Sequence, residues 1–405
     1  MKTLFLTNEY PPHIYGGAGV HVEYLTRELA KLMPVEVRCF GEQRYQTENL
    51  RVTGFGFEEQ AFRDTDQRLR SPLQALSRCV GFCAQPIDAD MVHCHTWYTH
   101  FGGVLAKKTY GIPLIITTHS LEPLRPWKRE QLGLGYDLSC WIEKTALEMA
   151  DGIIAVSESM KRDLLELFAV DPRRVRVIYN GIDMEEYRPV VAKDALHRFG
   201  INPSLPYVLF VGRITRQKGI IHLINAIKYL DPDTQVVLCA GAPDTIEIAR
   251  EMEHGVRTIQ ETHNRVLWIA EILDKRTLVE LYSNAAVFCC PSIYEPFGII
   301  ILEAMACSTP VVASAVGGIK EVVVDGVTGI LVALDQNTES PFEPKDPDAF
   351  SRDLAAPINR LIRDEGLRRQ MSEAGRNRAI ELFSWHAIAK QVREFYQELA
   401  VQNAR

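Results

Sequence analysis

The chain has 405 residues, of which 46% are apolar and 24% are charged, and this composition excludes a disordered or fibrous protein. That length is more than one ordinary hydrophobic core holds, so two domains of roughly 200 residues each are expected. The net charge is only −7 and the basic residues are scattered, which argues against a nucleic-acid partner and favours a small-molecule substrate.

Strand and helix patterns alternate from the first residue onward, which is typical of strand-helix-strand units in a parallel sheet. In the first half, short apolar runs predict strands at residues 3–7, 35–40, 91–94, 114–118, 152–156 and 175–179. Amphipathic stretches predict helices that include residues 20–32 and 139–149. The predicted fold class is therefore α/β.

This pattern breaks after the sequence Asn-Gly-Ile-Asp at residues 180–183, where Pro189, Pro203, Pro206 and charged residues replace the periodicity. We interpret the break as a linker. A second series of strands is then predicted at residues 207–212, 235–240, 266–269, 286–290, 311–313 and 329–332. The predicted domains are residues 1–185 and 186–384.

The last helical pattern, from about residue 385 to residue 399, carries apolar residues on one face. We expect this helix to cross back and pack on the first domain, so residues 385–405 are assigned there. Both domains are expected to be doubly wound, Rossmann-like sheets. Because such sheets bind ligands outside the carboxyl ends of their strands, the site is expected in the cleft between the domains.

The cysteines indicate the compartment. Nine are present, none in a C-x-x-C pair, and several, such as Cys39 and Cys239, lie in apolar strand-like runs. They are interpreted as free thiols in a reducing environment. No stretch reaches the roughly 18 apolar residues of a membrane helix, and no leader pattern opens the chain. We expect a cytoplasmic protein without a membrane partner.

The first motif is the loop Tyr15-Gly16-Gly17-Ala18-Gly19, between the first strand and a helix expected to begin near Val20. Glycines let backbone N–H groups approach an anion, and the helix N-terminus adds a favourable dipole. The alternative is a plain tight turn, since the loop does not match the dinucleotide pattern G-x-G-x-x-G. It supports a phosphate site only together with the motifs that follow.

The second motif, G-R-I-T-R-Q-K-G at residues 212–219, follows the first strand of the second domain. Arg213 and Lys218 are expected at the strand end and the next helix start, where two cations can hold a diphosphate. The alternative is a solvated basic turn. Of the three cations, Arg216 is the one expected to face solvent.

The third motif places Glu295 and Glu303 eight residues apart across a predicted loop-to-helix junction. Gly298 would let the backbone touch a phosphate at the helix start. Glu303 would lie inside the helix, where an unpaired buried carboxylate is unfavourable. A polar ligand such as a ribose would satisfy it.

Together, these motifs and the turn at residues 180–183 resemble the retaining GT-B glycosyltransferases over nearly the whole chain. The segments H-C-H-T-W-Y at residues 93–98 and T-H-S-L-E-P-L-R-P-W-K at residues 118–128 are most similar to bacterial glycogen synthases and α-maltose-1-phosphate synthases that use ADP-glucose. Many chain-elongating synthases have a lysine in a K-x-G-G loop, whereas this chain has H-I-Y-G-G at residues 13–17. That departure favours the maltose-phosphate branch.

The resemblance implies a role for each matching residue. His119 is expected to hydrogen-bond the 6-hydroxyl of the donor sugar, and Glu295 to hold its 3- and 4-hydroxyls. Arg213 and Lys218 are expected to hold the diphosphate. These four are the predicted catalytic residues.

Donor binding is further assigned to the ribose ligand Glu303, to the backbone of Phe297, Gly298 and Ile299 at the distal phosphate, and to the loop containing Gly17 and Gly19. Four residues are assigned to the acceptor site: Glu9, Tyr15, Arg125 and Lys128. The segment at residues 125–129 places three cations around an aromatic ring and could hold the phosphate of glucose 1-phosphate. The alternative is a solvated surface loop.

No metal and no cofactor are predicted. Although His93 and His95 share one face of a strand, Cys94 points away and no further ligand cluster is evident in the sequence. A homo-oligomer is possible.

Three functions remain open on the sequence alone. The first is an ADP-glucose-dependent retaining glucosyltransferase that makes α-1,4 links onto glucose 1-phosphate or a glucan. The second is an enzyme of the same fold with another donor or acceptor, such as a UDP-sugar transferase of cell-surface glycans or a sucrose or trehalose synthase. The third is a silent nucleotide-sugar-binding protein, which would not need His119, Arg213 and Lys218.

Overall fold

The chain folds into two compact units. The computed structural model describes residues 1–57, 62–263, 265–338 and 342–403. One unit comprises Met1–Gly181 and the segment that begins at Trp385, and the other comprises Ile182–Ser384. The first boundary thus lies at Gly181 rather than at the predicted residue 185, and residues 404 and 405 of the predicted last segment lie outside the described residues.

The first unit contains an eight-stranded sheet. Its strands are β1 (Thr3–Thr7), β2 (Val35–Phe40), β3 (Arg44–Gln46), β4 (Leu50–Phe55), β5 (Met91–His95), β6 (Leu114–Thr118), β7 (Gly152–Ala155) and β8 (Val175–Val177). Their spatial order is β3-β4-β2-β1-β5-β6-β7-β8, and β3 is antiparallel to β4 while the other pairs are parallel. The central strand β1 is buried along its whole length, as parallel strands covered on both faces usually are.

The helices of the first unit are α1 (Gly17–Leu29), α2 (Gln67–Ala84), α3 (Trp97–Tyr110), α4 (Lys128–Leu132), α5 (Gly135–Met149), α6 (Glu158–Leu167) and the last helix, α15 (Trp385–Asn403). Two of these helices have an N-terminus that is capped by a side chain. The carboxylate of Asp66 accepts from the N–H of Arg68 at the start of α2, and the Ser157 hydroxyl accepts from the N–H of Met160 at the start of α6.

Helix α15 completes the core of the first unit. Trp385, Val392 and Phe395 are each at most 4% exposed and belong to the same apolar cluster as Phe5 on β1. At Gly152 on β7, an added Cβ would lie 2.5 Å from a methyl carbon of Leu399. The helix therefore packs so closely on the sheet that β7 begins with a residue that has no side chain.

The second unit contains a six-stranded parallel sheet. Its strands are β9 (Tyr207–Arg213), β10 (Gln235–Gly241), β11 (Val266–Ile269), β12 (Val287–Cys290), β13 (Val311–Ser314) and β14 (Gly329–Val332), in the spatial order β11-β10-β9-β12-β13-β14. Its helices are α7 (Asp194–Arg198), α8 (Ile220–Ala226), α9 (Ile246–Gln260), α10 (Lys275–Asn284), α11 (Ile299–Ala306), α12 (Ile319–Val322), α13 (Pro347–Arg363) and α14 (Glu365–Leu382).

The predicted linker is part of the second unit. Helix α7 lies within it and packs on α10, and the N–H of Ala195 donates to Glu280 Oε1 at 2.5 Å. Ala195 and Leu196 are buried. The prolines therefore interrupt the periodicity without separating the segment from the core.

Each sheet changes winding direction at one strand pair. In the first unit the chain proceeds from β1 to β2 on one side and continues with β5 on the other, and in the second β9 lies between β10 and β12. Ligands of doubly wound sheets bind at the carboxyl ends of such strands. Among the described helices, none is long and apolar enough to cross a membrane.

We predict that Phe395→Ala destabilises the first unit by about 3–5 kcal/mol, because it removes a large buried ring that the surroundings fill only in part. Hydrogen exchange read peptide by peptide should show faster exchange in β7 and β8 and unchanged exchange in β9 and β10. Phe350→Ala, at a buried ring on α13 of the second unit, is the matched control and should give the opposite pattern. Equal loss in both units for Phe395→Ala would contradict the assignment of α15.

Candidate active site

Two of the predicted motifs meet at the carboxyl ends of β9 and β12. Arg213 ends β9, and its Nη1 donates to Asp244 Oδ1 at 2.8 Å. Lys218 ends a short 3₁₀ turn, which the Thr215 hydroxyl caps by accepting the N–H of Lys218. The Nζ of Lys218 lies 2.7 Å from Glu295 Oε2. The basic motif and the acidic motif, 77 residues apart in the chain, therefore form one charged cluster.

Glu295 is held in a fixed orientation inside this cluster. Only 8% of its side chain is exposed, and the Ser292 hydroxyl donates to the same carboxylate oxygen at 3.3 Å. Its backbone oxygen accepts from the N–H of Gly318 at 3.0 Å, which ties the loop after β12 to the loop after β13. A carboxylate held this firmly can orient hydroxyl groups without reorganising.

The start of α11 provides backbone donors beside Glu295. Gly298 precedes the helix with φ +106°, a conformation that favours glycine, and no side chain caps the first turn. Phe297 is buried edge-on against Phe383. The N–H groups of the first turn and the helix dipole form the kind of site that binds phosphate, as the sequence predicted for residues 297–299.

Glu303 is not the unpaired carboxylate that the sequence suggested. Its two oxygens accept hydrogen bonds from the hydroxyls of Tyr187 at 3.1 Å and Tyr282 at 2.9 Å. Burial raises the pKa of Glu303, although both hydroxyl bonds act against that shift. The structure therefore satisfies Glu303 internally, and the assignment of Glu303 to a ribose stays a prediction from the resemblance.

A separate cavity of about 330 Å³ lies between α8 and α9 in the second unit. Apolar residues such as Ile221 and Met252 line it together with His222 and Glu343. None of the predicted site residues lines this cavity. Arg213, Lys218 and Glu295 lie instead in the charged cluster at the strand ends.

In the first unit, the glycine loop is built around a carboxylate of the chain itself. Helix α1 begins at Gly17, three residues before the predicted Val20. Glu9 Oε2 accepts from the N–H groups of Tyr15 at 2.7 Å and Gly16 at 2.8 Å. An added Cβ at Gly19 would lie 2.7 Å from the same oxygen, so Gly19 provides room for this contact.

Glu9 also belongs to a polar chain that joins two strand ends. Its Oε1 accepts from Asn8 Nδ2 at 3.4 Å, and Asn8 Oδ1 accepts from the Thr96 hydroxyl at 2.8 Å. Thr96 follows β5 with φ +65°, which is strained for a β-branched residue. Glu9 therefore positions the glycine loop, and its assignment to the acceptor site stays a prediction. The predicted acceptor residue Tyr15 is 55% exposed.

His119 lies one residue beyond β6, where the sequence placed it. Its Nε2 is 3.0 Å from His95 Nδ1, and the ring of His21 on α1 packs edge-on against it with centroids 4.7 Å apart. His21 Nδ1 in turn lies 2.6 Å from Asn180 Oδ1. His21 therefore completes a group of three histidines with His95 and His119, which no short sequence spacing indicates because His21 lies on α1. The expectation that the enzyme uses no metal stays a prediction.

These histidines are neutral. Burial lowers the pKa of His21 to about 4 and lowers the pKa values of His95 and His119 well below the usual value of 6.5. For His95 and His119, repulsion between the positive charges of neighbouring protonated histidine rings lowers the pKa further. At neutral pH each ring therefore offers one N–H and one lone pair.

In the basic segment at residues 125–129, Arg125 and Lys128 are paired with an acidic residue of the same unit, Glu122. Lys128 Nζ donates to Glu122 Oε1 at 2.8 Å, and only 9% of its side chain is exposed. Arg125 Nη1 lies 3.5 Å from the same oxygen and 3.2 Å from the Ser120 hydroxyl. The predicted aromatic ring, Trp127, is buried. Lys128 is thus paired with Glu122, and its assignment to the acceptor site stays a prediction.

A second buried acid, Glu143 on α5, completes that cluster by accepting the N–H of Glu122 at 2.7 Å. Burial and the negative charge of Glu122 raise the pKa of Glu143 well above its usual value. For Glu122, burial also raises the pKa, but the charges of Lys128 and Arg125 outweigh it and the net pKa is lowered. Arg125 and Lys128 therefore lie beside one carboxyl group whose pKa is lowered and one whose pKa is raised.

Comparison with known proteins identifies the family to which the chain belongs. The profile described as "Glycosyl transferases group 1" matches residues 193–378, and the profile "Glycosyltransferase Family 4" matches residues 15–186. Alpha-maltose-1-phosphate synthase of Mycolicibacterium smegmatis is 45% identical over 407 residues, which cover 99% of this chain and 100% of that protein. The chain belongs to the group 1 glycosyltransferases. It has the GT-B fold and is a glycosyltransferase, which confirms the resemblance read from the sequence.

Solved structures agree on the fold. A sucrose-phosphate synthase from Thermosynechococcus elongatus is 26% identical, with a TM-score of 0.80 over 99% of this chain and 100% of that one. The catalytic domain of starch synthase IV from Arabidopsis thaliana, bound to ADP and acarbose, is 19% identical, with a TM-score of 0.74 over 98% of this chain and 99% of that one. The second likeness supports the fold alone.

The neutral histidines make stability depend on pH. Five histidines have lowered pKa values: the buried His21, His93, His95 and His100, and the partly exposed His119. Once unfolded they bind protons near pH 6.5, whereas the folded state holds its rings neutral down to about pH 4 for His21 and about pH 3 for His100. The unfolded state therefore binds more protons as pH falls from about 6.5 towards 4, and this contribution to stability falls with it.

We predict a fall in Tm of several degrees between pH 7 and pH 5, measured by differential scanning fluorimetry. Glu143 and Glu303 have raised pKa values, so their contribution to stability increases as pH falls. These two carboxyl groups are outnumbered by the five histidines. His100→Gln isolates the effect and should reduce the slope of Tm against pH. His254→Gln, at an exposed site, should leave the slope unchanged. A wild-type Tm that rises as pH falls through this window would contradict the assignment.

Proposed function

We propose that this enzyme transfers a glucosyl group from ADP-glucose to glucose 1-phosphate with retention of configuration, which forms α-maltose 1-phosphate. The observation that supports the donor half is the Lys218–Glu295 contact of 2.7 Å, because the cation proposed to bind phosphate lies beside the carboxylate proposed to orient the sugar. The product is suggested by the 45% identity to alpha-maltose-1-phosphate synthase over essentially both chains.

In the proposed reaction, the donor-binding residues stabilise the negative charge that develops on the leaving group. As the bond from the anomeric carbon to the phosphate oxygen breaks, negative charge grows on the diphosphate. Arg213, Lys218 and the first-turn N–H groups of α11 are positioned to stabilise it, and each such preorganised donor typically lowers a barrier by about 3 kcal/mol. These groups would do what a divalent ion does elsewhere, so the proposed reaction needs no metal.

Retention follows if the acceptor hydroxyl attacks from the face that the diphosphate leaves. The acceptor oxygen bonds to the anomeric carbon, the bond to the phosphate oxygen breaks, and the hydroxyl proton passes to the departing phosphate. A double displacement through Glu295 is the alternative. We rank it lower because one oxygen of Glu295 accepts from both Lys218 and Ser292, which weakens the carboxylate as a nucleophile.

His119 is the predicted catalytic residue of the first unit. It is partly exposed, and its ring is neutral because burial lowers its pKa. A neutral imidazole can donate to or accept from a sugar hydroxyl without placing positive charge beside an anomeric carbon that becomes cationic. The proposed contact with the 6-hydroxyl of the donor is compatible with that chemistry.

On the acceptor side we favour Arg125 over Lys128. Lys128 Nζ lies 2.8 Å from Glu122 Oε1, whereas Arg125 Nη1 lies 3.5 Å from that oxygen and 3.2 Å from the Ser120 hydroxyl, so Arg125 is the less tightly paired of the two. A planar guanidinium can hold a phosphate in two hydrogen bonds. The internal pairing of Lys128 is also the observation that favours a second candidate, a chain-elongating glucan synthase with a neutral acceptor.

The experiment that tests the proposal is a substrate panel. ADP-glucose or UDP-glucose is incubated with glucose 1-phosphate, maltose or glycogen, and the products are separated and identified. We expect α-maltose 1-phosphate from ADP-glucose and glucose 1-phosphate as the fastest reaction. Faster extension of glycogen would establish the second candidate, and preference for UDP-glucose would overturn the donor assignment.

We predict that Arg213→Ala and Lys218→Ala each lower kcat by about 100-fold or more, because their charges act most strongly in the transition state. Steady-state kinetics with saturating donor would measure this. Arg216→Ala is the matched control from the same loop and should stay within a few-fold of wild type. Near-wild-type turnover of Lys218→Ala would refute the role of this cluster.

For the acceptor, Arg125→Ala should raise the KM for glucose 1-phosphate at least tenfold and leave the KM for maltose or glycogen nearly unchanged. The reason is that only the phosphorylated acceptor carries a dianion for the guanidinium to bind. Arg129→Ala is the control, since Arg129 is exposed and paired with Asp137. Equal changes for charged and neutral acceptors would remove Arg125 from the acceptor site.

A further inference from the structure

Three histidines of the first unit meet in the geometry of a metal site. His21 comes from α1, His95 ends β5, and His119 follows β6. One ring nitrogen of each lies within 4.8 Å of the other two. His21 and His95 are at most 1% exposed, whereas His119 is partly exposed, so the cluster has one open side.

The hydrogen bonds show which nitrogens are available. The Asn180 side-chain oxygen can only accept, so His21 Nδ1 carries the proton in their 2.6 Å hydrogen bond, and in the neutral ring Nε2 holds the lone pair. Within the described part of the chain, that buried Nε2 has no hydrogen-bond partner. Buried polar atoms without a partner are uncommon and call for a ligand or a bound ion.

We propose that His21, His95 and His119 bind one divalent transition-metal ion of the zinc type, and that this ion inhibits the enzyme. Three imidazole ligands with a fourth, open position are an established arrangement for Zn²⁺ and Co²⁺. The cluster contains no carboxylate, so it offers little to Mg²⁺ or Ca²⁺, which prefer oxygen ligands. The Asn180 bond would orient His21 as outer hydrogen bonds orient metal-bound imidazoles.

Closing the cluster on an ion requires a small adjustment. Zinc–nitrogen bonds of about 2.0–2.1 Å place ligand nitrogens about 3.3 Å apart in a tetrahedron, compared with a separation of up to 4.8 Å here. His119, the partly exposed member, can make most of that movement by giving up its hydrogen bond to His95. Each neutral ring supplies one lone pair, so no proton need leave.

Inhibition follows because the ion takes His119 away from the donor sugar. This part rests on the proposed function, whereas metal binding itself does not. The enzyme would then need no metal for catalysis and yet lose activity when Zn²⁺ binds. Chelation by EDTA should leave the rate of metal-free enzyme unchanged and restore the rate of zinc-treated enzyme.

The test is a titration of the full-length, metal-free protein with Co²⁺, followed by the visible absorption of four-coordinate cobalt. We expect one Co²⁺ per chain, displaced by Zn²⁺ and not by Mg²⁺, with affinity at least tenfold weaker in His21→Gln and His119→Ala. His254→Gln, at an exposed site in the second unit, and His100→Gln, at a buried site in the first unit outside the cluster, should bind Co²⁺ as wild type does.

Absence of stoichiometric Co²⁺ binding to wild type would overturn the proposal, and so would wild-type affinity in His119→Ala. If His21→Gln fails to fold, as judged by its Tm, His119→Ala decides the question because its ring is partly exposed. Stoichiometric binding by a protein inactive on every donor and acceptor of the panel would support the metal site and contradict the proposed function. Zinc binding with full activity would overturn the inhibitory role.

Discussion

The ion pair between Lys218 and Glu295 organises the second unit. It joins the loop after β9 to the loop after β12 at the strand pair where the winding of the sheet changes direction. Neither charge is well solvated, so each depends on the other and on the Ser292 hydroxyl. The backbone contact from Gly318 to Glu295 then fixes the third loop, and the start of α11 follows directly.

In the first unit, side chains of the chain itself occupy the positions where a ligand's charged groups could bind. Glu9 supplies the anion at the N–H groups of the glycine loop, and Glu122 supplies the counter-charge of Lys128. Buried charges are tolerated when they are paired in this way. The histidines follow the same constraint by losing their charge, which leaves neutral rings around His119.

Sequence reasoning located the central strands well because their apolar runs are long and continuous. Strands β1, β2 and β6 begin and end at the predicted residues. It missed β3 and β4, which lie at the sheet edge, where β3 is fully exposed and β4 alternates between buried and exposed positions. An isolated short alternation is too weak a signal to separate an edge strand from a loop.

The motifs at the strand ends were predictable for a related reason, since the carboxyl ends of adjacent parallel strands meet at one edge. What remained hidden were partners without a local pattern. Tyr187 and Tyr282, which satisfy Glu303, stand in segments with no signal of their own, and so does Asp244 beside Arg213. His21 was overlooked because its position on α1 looks like an ordinary helical residue until the helix packs against β5 and β6.

The discontinuity of the first unit has a consequence for how the protein is made. Its core includes α15, which follows residues 182–384 in the chain. During translation the sheet of the first unit leaves the ribosome without the helix that covers Phe5 and Gly152, while the second unit emerges as one continuous segment. The nascent first unit thus carries an uncovered apolar face until α15 has been made.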